Sequence, residues 1–230
     1  MRDLPQRTIT AIIYAAIVLI GIFVPPIFFW ALLIVVGVLG LVELLSLRAG
    51  RPAIAFGTLF FLGLACLGAL KEMGPLGARH GTADDLPVWL FLAVLPTWAA
   101  DVTAYLTGSV YGRHRLAPSI SPGKTWEGTI AGFAASALVV LAVTAAFGLP
   151  RIEAAVAAVA IGPLGLAGDL LESYVKRRAG VKDSGTIFPG HGGVLDRLDS
   201  LVAVATFLVL VIAAWGVVTV GMEGGSFARF

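Results

Sequence analysis

The fold of this chain is decided by residues 128–172, GTIAGFAASALVVLAVTAAFGLPRIEAAVAAVAIGPLGLAGDLLE. Two apolar runs rich in Ala, Val and Leu, at 128–147 and 152–172, are separated by only a few residues. Each run has about the length of the roughly 20 helical residues that cross the ~30 Å apolar core of a bilayer. Because their connection is so short, the two segments must form a helical hairpin. The hairpin therefore brings together the polar sequence that precedes the first run and the polar sequence that follows the second.

The composition of the whole chain points to a membrane protein. Of its 230 residues, 58% are hydrophobic and only 13% are charged, far from the usage of soluble domains. The apolar runs are continuous and do not alternate with polar residues, which favours helices over a barrel. We therefore predict an all-α fold, a polytopic membrane helix bundle of about seven transmembrane helices. The predicted spans lie near residues 8–24, 27–45, 53–70, 87–107, 128–147, 152–172 and 198–220.

The distribution of cations predicts the orientation of these spans. With the N-terminus inside, twelve of the sixteen Lys and Arg residues fall on the inner side, as expected for cytoplasmic loops. We expect a multi-pass protein of the inner (cytoplasmic) membrane with its polar sequences on the cytoplasmic side. The net charge of +2 is too small to indicate a nucleic-acid partner.

Two regions are expected along the chain. Residues 1–86 form a transmembrane scaffold of three spans, and residues 87–230 form a functional region of four spans with two polar segments. Within the scaffold, Glu43 lies near the inner end of the second span. A functional role for Glu43 is one interpretation, but the short distance to Arg48 favours a structural pair, which we expect.

The second polar segment, residues 168–200, holds ten of the thirty charged residues of the chain. A solvated connector between two hydrophobic helices is the ordinary interpretation of such a stretch. The composition argues against it, because the run Pro189-Gly190-His191-Gly192-Gly193 permits backbone conformations and close approaches that other residues do not. Acidic residues also continue into the flanking apolar spans. The segment therefore has the composition of a functional site and not of a simple connector.

The acidic residues of this segment have helical spacing. The end of the sixth span places polar residues on one helix face at intervals of three, four and seven: Asp169, Glu172, Ser173 and Lys176. Asp196 and Asp199 are three apart at the start of the last span. Ordinary ion pairing along one helix is the alternative. Carboxylates that converge from separate helices, without a matching set of His or Cys, suit a hard cation, and Mg²⁺ is the natural occupant.

The first polar segment, residues 109–129, follows an acid inside a span. Asp101 lies within the fourth span, where an ionisable residue is a functional candidate, although a buried structural pair is also possible. The segment combines helix-breaking Gly and Pro with cations and hydroxyls that suit phosphate oxygens: Arg113, Arg115, Lys124, Ser119, Ser121 and Thr125. The run SPGKT at 121–125 is not a Walker A loop, because the required upstream glycine is absent and no strand is predicted before it.

The polar segments also resemble a known family. The sequences SYVKR at 173–177, KDSG at 182–185 and FPGHGGVLDRLD at 188–199 resemble, over 27 positions and without a departure, the signature of the CDP-diacylglycerol synthases, also called phosphatidate cytidylyltransferases. The run LAPSISPGKTWEG at 116–128 is similar to that family's other cytoplasmic stretch. The resemblance extends from about 97 to 203. Before residue 70 the chain departs from it in length, because family members often have additional N-terminal spans.

This resemblance implies a reaction, its partners and roles for individual residues. The reaction joins CTP to phosphatidate, a membrane lipid, and gives CDP-diacylglycerol and pyrophosphate. The resemblance also implies that the protein is a homodimer. A lipid phosphate oxygen attacks the α-phosphorus of CTP, so no covalent enzyme nucleophile is needed. We expect Asp169, Asp196 and Asp199 to bind Mg²⁺ and a second cation, and Asp101 is the next expected metal ligand. Those three acids and Lys182 are the expected catalytic residues. The expected substrate-binding residues are Ser121, Lys124, Ser173, Lys176, Arg177, His191, Gly192, Gly193 and Arg197.

Two other functions remain open from the sequence. A CTP-dependent lipid kinase would also use CTP and a membrane lipid as substrates, but it should lack the full signature. A cation-coupled transporter would explain Asp101 and Asp169 inside spans, but it predicts charges near the midplane and inverted repeats. Here the charges crowd toward one end of the spans, and no repeat is visible in the sequence.

Overall fold

A computed structural model describes residues 4–73, 86–148, 151–187 and 192–222 of the chain. The described residues form seven helices and one two-stranded antiparallel hairpin. In chain order the elements are α1 Leu4–Phe23, α2 Pro26–Ser46, α3 Arg51–Glu72, α4 Val88–Tyr111, β1 Arg115–Ala117, β2 Ser121–Thr125, α5 Trp126–Phe147, α6 Arg151–Arg178 and α7 Leu195–Met222.

The helical membrane fold predicted from composition is confirmed, and each predicted span corresponds to one helix. Six helices, α2 to α7, are long and apolar enough to cross a membrane by length and composition. In α1 the described apolar part, Ile13–Phe23, is shorter than a full span. The count of seven is therefore approximate. Large apolar side chains such as Ile27, Val38 and Leu45 are exposed on the outer surface, as lipid-facing residues are.

Helix α7 lies at the centre of the bundle and packs against α3, α4 and α6. Small residues let the backbones approach closely, the usual packing device between membrane helices. A Cβ at Gly63 of α3 would overlap Val202 of α7. A Cβ at Gly168 of α6 would overlap the backbone of Asp199. The second contact places the polar ends of α6 and α7 side by side. The division at residue 86 stays a prediction, although α3 packs along α7.

Helices α4 and α5 also pack closely. Added Cβ atoms at Gly128 and Gly132 would overlap the backbone carbonyls of Ala104 and Ala100. Helices α5 and α6 are joined at 148–151 and contact each other, as the short connection predicted. The Gly and Pro residues of the first polar segment were expected to break the helix, and α4 ends at Tyr111. The sequence did not predict that Arg115 would pair with Thr125 in a small β hairpin.

Candidate functional site

A polar cavity of about 400 Å³ lies between α4, α5, α6, α7 and strand β2. Its lining contains carboxylates and cations from both polar segments. Seven of the predicted site residues line it: Asp101, Ser121, Lys124, Asp169, Asp196, Arg197 and Asp199. They come from four separate elements, so the fold brings together residues that are up to 98 positions apart in the sequence.

The two polar segments meet at one wall of this cavity. Lys124 Nζ of β2 lies 2.5 Å from Asp169 Oδ2 of α6, and both side chains are about one quarter exposed. The Ser173 hydroxyl donates to the other oxygen of Asp169 at 3.3 Å. Outside the cavity, Arg177 Nε donates to the Ile120 carbonyl at 3.0 Å. The prediction that the α5–α6 hairpin joins the two polar segments is therefore confirmed.

Strand β2 is held against α5 by capping contacts. The Thr125 side-chain oxygen accepts from Gly128 N at 3.2 Å and caps the first turn of α5. Glu127 accepts from Arg113 N at 3.1 Å and contacts His114 Nδ1 at 2.6 Å. A carboxylate in the first turn also suits the positive end of the helix dipole. These contacts fix the hairpin that carries Lys124 into the cavity.

Lys176 is buried behind the cavity wall. Its Nζ lies 2.5 Å from Glu172 Oε2 and 2.5 Å from Asp196 Oδ1. The three side chains are 11%, 1% and 4% exposed, respectively, so two carboxylates share one ammonium away from water. This is more than ordinary surface pairing along a helix, because Lys176 joins α6 to the start of α7. Its predicted contact with substrate stays a prediction.

The second oxygen of Asp196 is occupied by the loop that precedes α7. Asp196 Oδ2 accepts from Ser184 N at 2.8 Å and Gly193 N at 2.7 Å, and the Ser184 hydroxyl lies 2.8 Å away. Gly192 has φ +82°, and a Cβ there would overlap the Asp196 carboxylate. Both oxygens of Asp196 therefore already have protein donors. Asp196 Oδ1, which contacts Lys176 alone among the described residues, keeps one lone pair that a metal could use.

Sequence reasoning missed the role of Glu43. The prediction that it pairs with Arg48 is wrong: the Glu43 carboxylate, from α2, accepts from Val194 N at 2.9 Å and Leu195 N at 3.0 Å. The Ser184 hydroxyl lies 2.9 Å from Glu43 Oε2. Glu43 is 5% exposed. An isolated acid in an apolar helix is a signal of function, but no local pattern in the chain indicates a partner about 150 residues away.

Other predicted residues lie around the cavity or outside the described residues. Lys182 is exposed and makes no ion pair within the described part of the chain. The Gly193 N–H donates to Asp196. His191 lies outside the described residues, so its predicted substrate contact stays a prediction.

The chemistry of the cavity suits a divalent cation. The cavity and the ion pairs behind it contain five carboxylates, Asp101, Asp169, Glu172, Asp196 and Asp199, against three cations, Lys124, Lys176 and Arg197. The formal excess is two negative charges among these described residues. No cluster of three or more His, Cys, Asp or Glu that could hold a metal is preformed within the described ranges. Mg²⁺ does not need one, because it usually takes one or two carboxylates and completes its shell with water and substrate phosphates.

A second cavity, of about 320 Å³, reaches the same acids from the side of α1. Six residues line both cavities: Thr97, Asp101, Asp196, Arg197, Asp199 and Ser200. The second cavity is also lined by Tyr14, whose hydroxyl donates to the Arg197 carbonyl at 2.9 Å. A third cavity of about 210 Å³, lined almost wholly by apolar side chains of α1, α2, α4 and α7, also reaches Tyr14 and Arg197. The acids can thus be approached from a polar side and from an apolar side.

Comparison with known proteins covers the part of the chain that forms the polar cavity. A model of the cytidylyltransferase family matches residues 79–215. The phosphatidate cytidylyltransferase of Brucella abortus is 39% identical over 207 residues, covering 80% of this chain and 72% of that protein. The phosphatidate cytidylyltransferase of Haemophilus influenzae is 44% identical over 138 residues, covering 56% of this chain and 46% of that protein. The phosphatidate cytidylyltransferase of Pseudomonas aeruginosa is 41% identical over 133 residues, covering 55% of this chain and 49% of that protein.

Proposed function

Because this chain belongs to the cytidylyltransferase family, we propose that it is a membrane nucleotidyltransferase that makes CDP-diacylglycerol and pyrophosphate from CTP and phosphatidate. The observation that carries the proposal is the pair of cavities that share one set of carboxylates. A soluble, highly charged nucleotide and a membrane-anchored lipid need separate routes to one reaction centre. The polar cavity suits the nucleotide, and the cavity beside α1 suits the lipid.

The reaction is a direct transfer. A phosphate oxygen of phosphatidate bonds to the α-phosphorus of CTP, and the bond from that phosphorus to the bridging oxygen of the β-phosphate breaks. Pyrophosphate leaves with the electron pair. No covalent intermediate is required, so the protein contributes positioning and charge stabilisation.

The cations of the polar cavity are the proposed phosphate ligands. Lys124 enters the cavity from β2 with Ser121 beside it, where their ammonium and hydroxyl can donate to triphosphate oxygens. Arg197 lines all three cavities and is placed to bind a phosphate at their junction. The buried Nε of Arg197 has no hydrogen-bond partner among the described residues, so it is available as a donor. Ser173 orients Asp169 through its hydroxyl.

We propose that Mg²⁺ and a second cation would be held by Asp101, Asp169 and Asp199, with one or two of these carboxylates for each ion and substrate phosphates and water as the other ligands. Bound Mg²⁺ supplies charge neutralisation for the triphosphate and the leaving pyrophosphate. Asp196 belongs to the set predicted from sequence, and we propose that it also orders the start of α7 through its contacts with Lys176, Ser184 N and Gly193 N. Lys182 lies at the exposed edge, where it can meet a phosphate that arrives from solvent.

The setting of the reaction is part of the proposal. The multi-pass helices place the protein in a membrane, and the positive-inside distribution of Lys and Arg supports the inner membrane with the site on the cytoplasmic side, where CTP is found. A homodimer is proposed from the family resemblance alone. The two cavities at one carboxylate cluster favour a two-substrate transferase over a cation-coupled transporter.

The proposal is tested with purified protein in detergent, supplied with CTP, phosphatidate and Mg²⁺. Pyrophosphate release should require both substrates and should stop on chelation of the metal. Asp199→Asn should abolish turnover while the melting temperature stays near that of the wild type. Near-normal turnover of Asp199→Asn would overturn the metal assignment, and pyrophosphate release without phosphatidate would overturn the proposed reaction.

A further inference from the structure

The Glu43 carboxylate lies at a junction between the N-terminal helices and the polar cavity. Oε1 accepts from Val194 N and Oε2 accepts from Leu195 N, and the Ser184 hydroxyl, whose single proton goes to one acceptor at a time, also lies 2.9 Å from Oε2. An acceptor-only group suits such a set of donors. Glu43 is buried, so these donors take the place of water.

Leu195 N is the first backbone donor of α7, and Val194 N immediately precedes it. The first N–H groups of a helix have no partner inside the helix and need a cap. Glu43 supplies the cap from a different helix, α2, and its negative charge lies at the positive end of α7. The cap therefore fixes where α7 begins, immediately before Asp196 and one turn before Asp199.

The loop around Glu43 is shaped to admit the carboxylate. A Cβ added to Gly185 or Gly193 would overlap the Glu43 side chain. The Ser184 hydroxyl lies 2.9 Å from Glu43 Oε2 and 2.8 Å from Asp196 Oδ2, so it stands between the two acids and donates its one proton to either of them. From Asp196 the contacts continue to Lys176. Glu43 is thus connected to the cavity wall by a short, continuous set of polar contacts.

We propose that Glu43 is a positioning residue for the reaction: it holds the Ser184–Gly185 turn and the start of α7, and so sets the position of Asp196 and Asp199. The proposal rests on the proposed function and extends it to α2, which lies outside the matched family region of 79–215. Residues 1–86, expected from the sequence to be a scaffold, then contribute directly to the geometry of the site.

The kinetic test compares Glu43→Gln with a matched control, Glu72→Gln. Glutamine at 43 presents an NH₂ group to amide donors and removes the charge, so the cap loosens. A displacement of about 1 Å at a reaction centre can lower turnover roughly 100-fold, and we expect kcat to fall by about that factor. KM for CTP should change less than about threefold, because Lys124 and Ser121 lie on β2 and are not among the described hydrogen-bond partners of Glu43. Glu72 is an exposed acid of α3 that accepts from Trp30 Nε1 at 2.6 Å, and its variant should keep the wild-type kcat.

A second measurement does not depend on activity. Hydrogen exchange in the absence of substrates should be faster at residues 184–187 and 194–197 in Glu43→Gln than in the wild type, and unchanged in Glu72→Gln. If the wild type made no CDP-diacylglycerol, the proposed function would fail, while the exchange result would still report on the positioning contact. Wild-type kcat in a folded Glu43→Gln, or unchanged exchange at these residues, would overturn the positioning role.

Ser184→Ala is the second variant, in case Glu43→Gln does not fold. It removes the hydroxyl that joins Glu43 to Asp196 but keeps the bonds from Val194 N and Leu195 N. We expect kcat to fall about tenfold, the lower end for the loss of one hydrogen bond to a charged group. In combination with Glu43→Gln the two losses should be less than multiplicative, because both act on Asp196. Wild-type turnover of Ser184→Ala would contradict the proposal.

Discussion

Replacing Lys176 with Met should destabilise the protein strongly, because two buried carboxylates share its ammonium. Glu172 and Asp196 side chains are 1% and 4% exposed, and each lies 2.5 Å from Lys176 Nζ. Breaking a buried ion pair by removing one partner costs about 3–5 kcal/mol. Asp196 keeps Ser184 N and Gly193 N as donors, so most of the penalty falls on Glu172. We therefore expect the lower end of the range, about 3 kcal/mol.

The assay is thermal unfolding of the purified variants in one detergent. For a chain of this size 1 kcal/mol corresponds to roughly 2–4 °C, so Lys176→Met should lower the melting temperature by about 10 °C. Adding Glu172→Gln should recover more than half of that loss, because the unpaired buried charge is removed. Lys182→Met is the matched control: this lysine is exposed, and its loss should leave the melting temperature unchanged. A Lys176→Met variant that melts within about 2 °C of the wild type, or a double variant no more stable than the single one, would refute the reasoning.

Two further predictions concern the loop and the cavity wall. Gly193→Ala should lower the melting temperature and turnover, because its Cβ would overlap Glu43 and Ser184. Gly123→Ala is the control and should melt like the wild type, because nothing lies within 4 Å of its Cβ. Equal melting temperatures of the two variants would contradict the packing around Glu43. Lys124→Gln should raise KM for CTP about tenfold, as for the loss of one charge-assisted contact, with little change in melting temperature. A change confined to the KM for phosphatidate would show that Lys124 serves the other substrate.

The features that the sequence predicted are those that depend on local pattern. The lengths of the apolar runs predicted the helices, and the short 148–151 connection predicted the hairpin that joins Lys124 to Asp169. The spacing of Asp196 and Asp199 placed both acids at the start of α7, where both line the cavity. These are periodicities of one helix or one turn, which the chain displays directly.

The features that the sequence did not predict depend on partners distant in the chain. The glycines at 192 and 193 are predicted from the sequence as substrate-binding residues, and that stays a prediction; what the sequence did not predict is that they make room for the carboxylates of Asp196 and Glu43. Pairing Glu43 with Arg48 followed from proximity in sequence, whereas the true donors are about 150 residues away. The β hairpin of the first polar segment was missed because its strands have only three and five residues and β2 contains Pro122 and Gly123. In each case a tertiary contact decided the outcome.

The most direct test of the account follows two labels of CTP into the lipid. The purified protein is incubated with phosphatidate, Mg²⁺ and CTP labelled either at the α-phosphorus or at the γ-phosphorus, and the lipid phase is then extracted. We predict that the α label enters the lipid in equal amount to the pyrophosphate released, and that the γ label stays in the aqueous phase. Transfer of the γ label to lipid would indicate a kinase, and transfer of neither label would contradict the proposed nucleotidyltransferase.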